Sequence, residues 1–269
     1  MSESTPSFVS LLWGTLFLRP YVFIFLAAYL CLATRHLGLG PTLLYLLLGY
    51  GIAWTSEFCS IHTGIPYGLY MYIPATHSQE LWVLGVPLMD SLSYVFLSYA
   101  SYSLALFLLA PLPRSPVSGH PVNTGRYNLA TLLLAVVLFV TLDIIIDPLA
   151  LRGYRWFLGQ IYGYPEAGIY FGIPLSNFVG WFVVGLVMVA VLQRLSHWSV
   201  PFPWLSWGQS RSTNDGYLGA GLYLGILLFN LILTFYIGET LLGLVGLFIY
   251  LPFTTLAILV RCHPGFKAN

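Results

Sequence analysis

Seven apolar runs of about 20 residues, at about 20–35, 41–59, 89–110, 129–149, 174–194, 217–236 and 240–260, are separated only by Gly, Pro and polar punctuation. About 20 helical residues cross a hydrocarbon core roughly 30 Å thick, where every backbone amide and carbonyl must be satisfied within the chain itself. The pattern therefore predicts an all-α, polytopic transmembrane helical bundle of about seven helices. Composition agrees, with 58% hydrophobic and only 7% charged residues against roughly 25% charged in a soluble domain. The 269 residues read as one integral membrane domain. Residues 7–18 are apolar but too short to cross and are interrupted by Arg19-Pro20, so residues 1–19 are expected to be an interfacial lead-in, with no eighth helix. No basic n-region or cleavage signal precedes the first span, which is expected to stay.

A formal net charge of +1 gives no footprint for nucleic acid or for an acidic soluble partner. Cys31, Cys59 and Cys262 are odd in number and far apart, which predicts packed thiols and neither a disulfide framework nor a zinc site. In a seven-helix chain, Arg35, Arg114, Arg126, Arg194, Arg211, Arg261 and Lys267 fall on one side, and Arg19, Arg152 and Arg155 on the other. The positive-inside bias then puts the N-terminus outside and the C-terminus in the cytoplasm of a multi-pass cell-membrane protein. Residues 111–128 and 195–216 read as solvated linkers on the basic side. Residues 60–88 and 150–173 are rich in Tyr, Trp, Gly and Pro and are expected at the membrane interface.

Those two aromatic segments sit in units that look alike, spanning 45–110 and 129–195. Glu57 lies 28 residues before GVPLMD (85–90), and Asp143 lies 29 before GIPLSN (172–177), which sets Asp90 opposite Asn177. Both loops leave the bilayer on the same side, so the two helix-loop-helix repeats are expected to be parallel. Glu57, Asp90, Asp143, Asp147 and Glu239 then converge at helix ends on the face poor in Lys and Arg. Carboxylates in a membrane helix are costly and normally face an internal cavity where they act.

Plainer roles exist for some of them. Asp90 and Asn177 fit helix N-caps, Asp147 before Pro148 fits a helix stop paired with Arg152 or Arg155, and Glu239 suits the positive end of the last helix. Plainer roles are weaker for Glu57 and Asp143, since they sit at the end where the helix dipole disfavours negative charge. Asp143 and Asp147 share one helix face, which crowds two anions and favours keeping one protonated. His62 and His77 are candidate proton relays in the first aromatic loop. Tyr67, Tyr70, Tyr72, Trp82, Tyr154, Trp156, Tyr162, Tyr164 and Tyr170 fit an interfacial belt or a cation-tolerant wall. Nucleotide loops, HExxH, His-ligand clusters and nucleophile elbows are all missing from the sequence, so neither a metal nor an organic cofactor is expected.

The stretches TSEFCSIHTGIPYGLYMY (55–72), LGVPLMDSLSYVFLSYASY (84–102), LDIIIDPLALRGYRWFLGQIYGYP (142–165) and GIYFGIPLSNFVGWFVVG (168–185) resemble the membrane carotenoid biosynthesis proteins that include carotenoid 1,2-hydratases. The likeness is good over about 45–190 and rests on hydropathy beyond it. It implies cofactor-free addition of water to the terminal isopropylidene double bond of an acyclic carotenoid of the γ-carotene, lycopene or bisanhydrobacterioruberin type, within membrane lipids; a homo-oligomer is compatible with it. For that reaction Asp143 or Asp147 is expected to donate the proton, with Glu57 or Asp90 positioning and deprotonating water and Arg152 orienting a carboxylate. His62, Tyr67, Tyr70, Arg152, Trp156, Tyr162, Tyr170 and Asn177 are expected to line the substrate site. A carotenoid cyclase starts from the same protonation, and a proton-coupled transporter is the reading from a different class.

Overall fold

The computed structural model describes residues 6–109, 129–198, 206–210 and 215–262. Helices form at all seven expected positions: α2 (Pro20–Leu37), α3 (Leu39–Thr63), α4 (Leu88–Leu109), α5 (Leu129–Leu151), α6 (Leu175–Ser196), α7 (Asp215–Tyr236) and α8 (Thr240–Cys262). Pro20 opens α2, where a missing N–H costs nothing. Gly38, at φ 91°, separates α2 from α3, and Gly64, at φ 80°, closes α3 in the left-handed conformation. Five helices (α2, α4, α5, α6 and residues 217–236 of α7) are long and apolar enough to cross a membrane, and the chain is a multi-pass membrane protein. Arg114, Arg126, Arg211 and Lys267, with the 111–128 linker, lie outside the described residues, as do the side chains of Arg261 and Cys262. Cys59 is half-buried, but Cys31 is exposed and not the packed thiol expected, because it lies with Ile24 and Ala27 on a stripe of α2 that is uncovered among the described residues.

α4 is the axis of the bundle, packed by α2, α3, α5, α6 and α7. Of its apolar window 78% is buried, against 28% for α2. Its serines suit that position, being small enough for close helix approach and able to return their hydroxyls to their own helix. Ser98 Oγ donates to the Tyr94 carbonyl at 2.6 Å and Ser101 Oγ to that of Leu97 at 2.7 Å.

The eighth helix is a departure from the sequence reading. α1 (Phe8–Leu18) is 11 residues long, too short to span, and its outer face exposes Phe8, Trp13 and Phe17. It lies against the first aromatic loop so closely that a Cβ on Gly14 would meet the Gln79 carbonyl at 1.8 Å. Thr15 Oγ1 accepts from the Leu81 amide at 2.8 Å. Arg19 and Glu80, 1% and 0% exposed, form a bidentate pair with Nε to Oε2 at 3.0 Å and Nη2 to Oε1 at 2.8 Å. The remaining nitrogen, Nη1, donates to the Leu158 carbonyl of the second aromatic loop. Three chain segments thus meet at one guanidinium.

The two loops interlock at one end of the bundle. β1 (Met71–Tyr72) pairs antiparallel with β4 (Tyr162–Gly163), setting Met71 opposite Gly163 and Tyr72 opposite Tyr162. β2 (Trp82–Val83) and β3 (Val86–Pro87) form a hairpin through Leu84 (φ 49°) and Gly85 (φ 88°), leading directly into α4. Ahead of α6 the same backbone recurs at Phe171 (φ 49°) and Gly172 (φ 94°), with Ile173 N–H donating to the Tyr170 carbonyl at 2.8 Å. Two successive positive φ values are what a tight hairpin turn matching strand twist requires, and at Leu84 and Phe171 they are adopted by bulky residues.

A Glu80→Leu substitution leaves Arg19 charged and buried without its anion. It is expected to lower the unfolding free energy by about 3–5 kcal/mol, and Arg19→Met/Glu80→Leu by less. Chemical denaturation in detergent micelles compares the two, and a single variant no worse than the double would contradict the assignment.

Candidate functional site

Where the loops cross, α3, α4 and α5 deliver carboxylates, α6 an amide and an indole, and the loops and α4 phenols, to one small chamber. Glu57, two turns before the end of α3, is 1% exposed and accepts from Ser91 Oγ of α4 at 2.6 Å. Asp90, in the first turn of α4, accepts from Tyr72 Oη at 2.6 Å. Asp143 and Asp147, one turn apart near the end of α5, share the amide of Asn177 from the start of α6. Its Nδ2 donates to Asp143 Oδ2 at 2.9 Å and to Asp147 Oδ2 at 2.6 Å. Asp143 is fully buried, and its second oxygen, Oδ1, has no hydrogen-bond partner among the described residues.

The phenols are neutral donors. Burial, and after it the neighbouring carboxylates, push Tyr67, Tyr70, Tyr72 and Tyr162 well above the ordinary tyrosine range. Tyr67 Oη shares a hydrogen bond of 2.8 Å with Ser56 Oγ, and Tyr162 Oη donates to the Asp147 carbonyl at 3.1 Å. Gly180 brings α6 against the first loop, where a Cβ would meet Pro66 backbone at 2.8 Å. This contact sets Tyr67 and Trp181 side by side over the chamber. Trp181 stacks on Tyr94, with ring centroids 4.4 Å apart and planes at 15°.

The chamber has a volume of about 40 Å³ and is lined by Glu57, Asp90, Asp147, Asn177, Trp181 and tyrosines 67, 70, 72, 94, 162 and 164. One water needs about 10–15 Å³ and two to four polar partners, so the chamber can hold a few waters. A second cavity of about 90 Å³ adjoins it, lined almost wholly by apolar side chains of α2, α4, α5, α7 and the second loop, including Phe25, Phe96, Ile146, Trp156 and Phe229. Asp90, Asp147, Tyr162 and Trp181 line both. An oily group in the second cavity therefore touches carboxylates whose other side faces a polar space. No group of three or more His, Cys, Asp or Glu suited to a metal occurs among the described residues.

Residues 16–254 match the model of the carotenoid biosynthesis protein family, which takes in every element of both cavities. The chain belongs to the carotenoid biosynthesis protein family. No curated protein and no solved structure matches it. An apolar cavity beside buried acids is compatible with a role in carotenoid biosynthesis.

Several sequence-predicted site residues of this carotenoid biosynthesis protein lie elsewhere. Glu239 does not join the other four acids. It pairs with Arg152, Nε to Oε1 at 3.1 Å, and with Arg155 at the rim, because the short α7–α8 connection carries it past the second loop. Arg152 consequently orients no chamber carboxylate. Its Nη1 donates to the Pro148 and Phe171 carbonyls at 2.9 and 3.1 Å, tying the end of α5 to the hairpin before α6. Asp147 is held by Asn177 instead of by an arginine, and neither Asp90 nor Asn177 caps a helix. His62 is exposed, its Nδ1 2.7 Å from the Phe58 carbonyl, and His77 packs on Trp82. Tyr170 lies in the hairpin against Phe171 and Phe178, its hydroxyl pushed up to about 12 by burial. Tyr67, Tyr70, Tyr162 and Asn177 do line the chamber, and Trp156 lines the apolar cavity.

Ser91, Tyr94 and Trp181 were not singled out from the sequence. Ser91 and Tyr94 are Glu57's neighbours across the α3–α4 contact, and a count would have found Ser91: Glu57 to Ser91 and Asp143 to Asn177 are both 34 residues apart. Replacing Asn177 with Leu strands two buried carboxylates. It is expected to cost about 1–3 kcal/mol of stability, with a coupling of about 0.5–3 kcal/mol to Asp143→Leu in a double-mutant cycle measured in detergent; additive effects would show that the shared amide does not link the pair.

Proposed function

We propose that this carotenoid biosynthesis protein adds water across the terminal isopropylidene double bond of an acyclic carotenoid, giving a tertiary alcohol without a cofactor. The observation that carries the proposal is the adjacency of the two cavities through Asp90 and Asp147. Protonating an unactivated alkene needs a desolvated acid, a site that tolerates a tertiary cation, and water within reach once the cation exists. A carotenoid is a rigid rod comparable in length to the roughly 30 Å hydrocarbon core, so its end group meets the protein near a membrane face. We assign that face to the side opposite the cytoplasm, with the N-terminus outside and the C-terminus in the cytoplasm.

The Asp143–Asp147 pair holds one proton, and Asp147, which reaches the apolar cavity, delivers it to the CH carbon of the double bond. The π electrons form the new C–H bond and leave the charge on the carbon bearing two methyl groups. The ring faces of Trp181 and Tyr162, which border both cavities, stabilise that cation. Chamber water then attacks, its oxygen forming the C–O bond while its proton passes to Asp90 or Glu57. Return of that proton to the aspartate pair through chamber water restores the site, and the net change is one added water. The chamber is what favours hydration over cyclisation, in which a neighbouring double bond captures the same cation.

Expression in a lycopene-producing host, followed by pigment mass analysis, tests this. The wild type is expected to yield a product heavier by one water. Among Asp143→Asn, Asp147→Asn, Glu57→Gln and Asp90→Asn, at least one should lose about 10²–10⁴-fold of the rate while remaining in the membrane. Four fully active variants would sink the site assignment, and a product of unchanged mass would replace hydration by cyclisation.

A further inference from the structure

We propose that Asn230 on α7 is a further catalytic residue, its side-chain carbonyl stabilising the positive charge that develops on the isoprenoid end group in the apolar cavity. The assignment rests on the cation-forming step proposed above.

Asn230 is only 8% exposed and lines the apolar cavity with its neighbours Ile226 and Phe229. Its Nδ2 donates to the Ile226 carbonyl at 2.8 Å, four residues back on the same helix. Only the nitrogen end of the amide can donate to a carbonyl, so this bond settles which end is which and turns Oδ1 away from the helix backbone. Oδ1 accepts no hydrogen bond from a described residue and is not among the sealed, unpartnered side-chain atoms, so it stays accessible at the cavity that Asn230 lines. A polar oxygen left unpaired among apolar side chains is costly when the cavity holds only hydrocarbon. The cost reverses when a cation appears there, because a fixed dipole acts strongly where the dielectric is low and needs no reorganisation.

Its position also suits the chemistry. Among the described residues α7 lines the apolar cavity but not the chamber, so Asn230 addresses a part of the end group turned away from the attacking water. A neutral amide carries no full charge to collapse onto the cation as an ester, which a third carboxylate at this place would risk.

The test uses the full chain in detergent with an acyclic carotenoid. Asn230→Leu keeps the volume and removes the dipole; its kcat is expected to fall about 10–100-fold with KM changed less than about threefold. Asn230→Ser, which can return its hydroxyl to Ile226 and still offers an oxygen, should retain an intermediate kcat. A folded Leu variant with wild-type kcat, or a loss confined to KM, overturns the assignment. If the Leu variant does not reach the membrane, Asn230→Ala decides by the same criterion. Product mass separates this proposal from the hydration reading: a wild type that only isomerises its carotenoid, slowed by Asn230→Leu, ends hydration and keeps Asn230. A wild type that leaves the carotenoid unchanged ends both.

Discussion

Burying carboxylates inside a membrane bundle is the constraint around which the rest of this structure is arranged. An ionised acid moved out of water without partners costs several kcal/mol, so each of the three acids lining the chamber, and Asp143 beside them, has a donor brought to it from another element. Asn177 serves Asp143 and Asp147, Ser91 serves Glu57, and Tyr72 serves Asp90. Each donor requires its own element to be placed to within a few tenths of an ångström. The paired hairpins before α4 and α6, the β1–β4 pairing and the small residues of α4 and α6 supply that placement.

The loops carry more of this burden than connections usually do. Tyr72 reaches Asp90 only because β1 is fixed against β4, and the first loop is fixed in turn by Arg19, Glu80 and Thr15 of the α1–α2 junction. The guanidinium of Arg19 also holds the Leu158 carbonyl, and Leu158 lines the apolar cavity. The short N-terminal helix is thus a structural part of the site's roof, joined to it by a fully buried ion pair. A surface pair of the same geometry would contribute little; this one is costly to break because its partners cannot be rehydrated.

The proposed function follows from two unlike spaces sharing a wall. A purely apolar cavity would hold an isoprenoid end without acting on it, and a purely polar chamber would not admit one. Asp90, Asp147, Tyr162 and Trp181 belong to both, so proton donors, ring faces and room for water lie within reach of one bound group. That arrangement is what allows a carotenoid biosynthesis protein to carry out acid chemistry on a hydrocarbon without a cofactor in our reading.

Hydropathy and spacing alone determined the all-α membrane class, all seven long helices and the carboxylates that gather at one end, because these depend on local composition and on the 1.5 Å rise of a helix. The likeness between the two aromatic loops was also legible, as the shared G-[VI]-P-L stretch. Only the tertiary structure decided that Glu239 goes to Arg152 and Arg155, that His62 and Tyr170 point elsewhere, that Ser91 and Trp181 belong to the site, and that Glu80 finds Arg19 from 61 residues away. Helix rotation and loop path govern those pairings, and an all-round apolar helix such as α5 carries almost no periodic signal of which side faces inward.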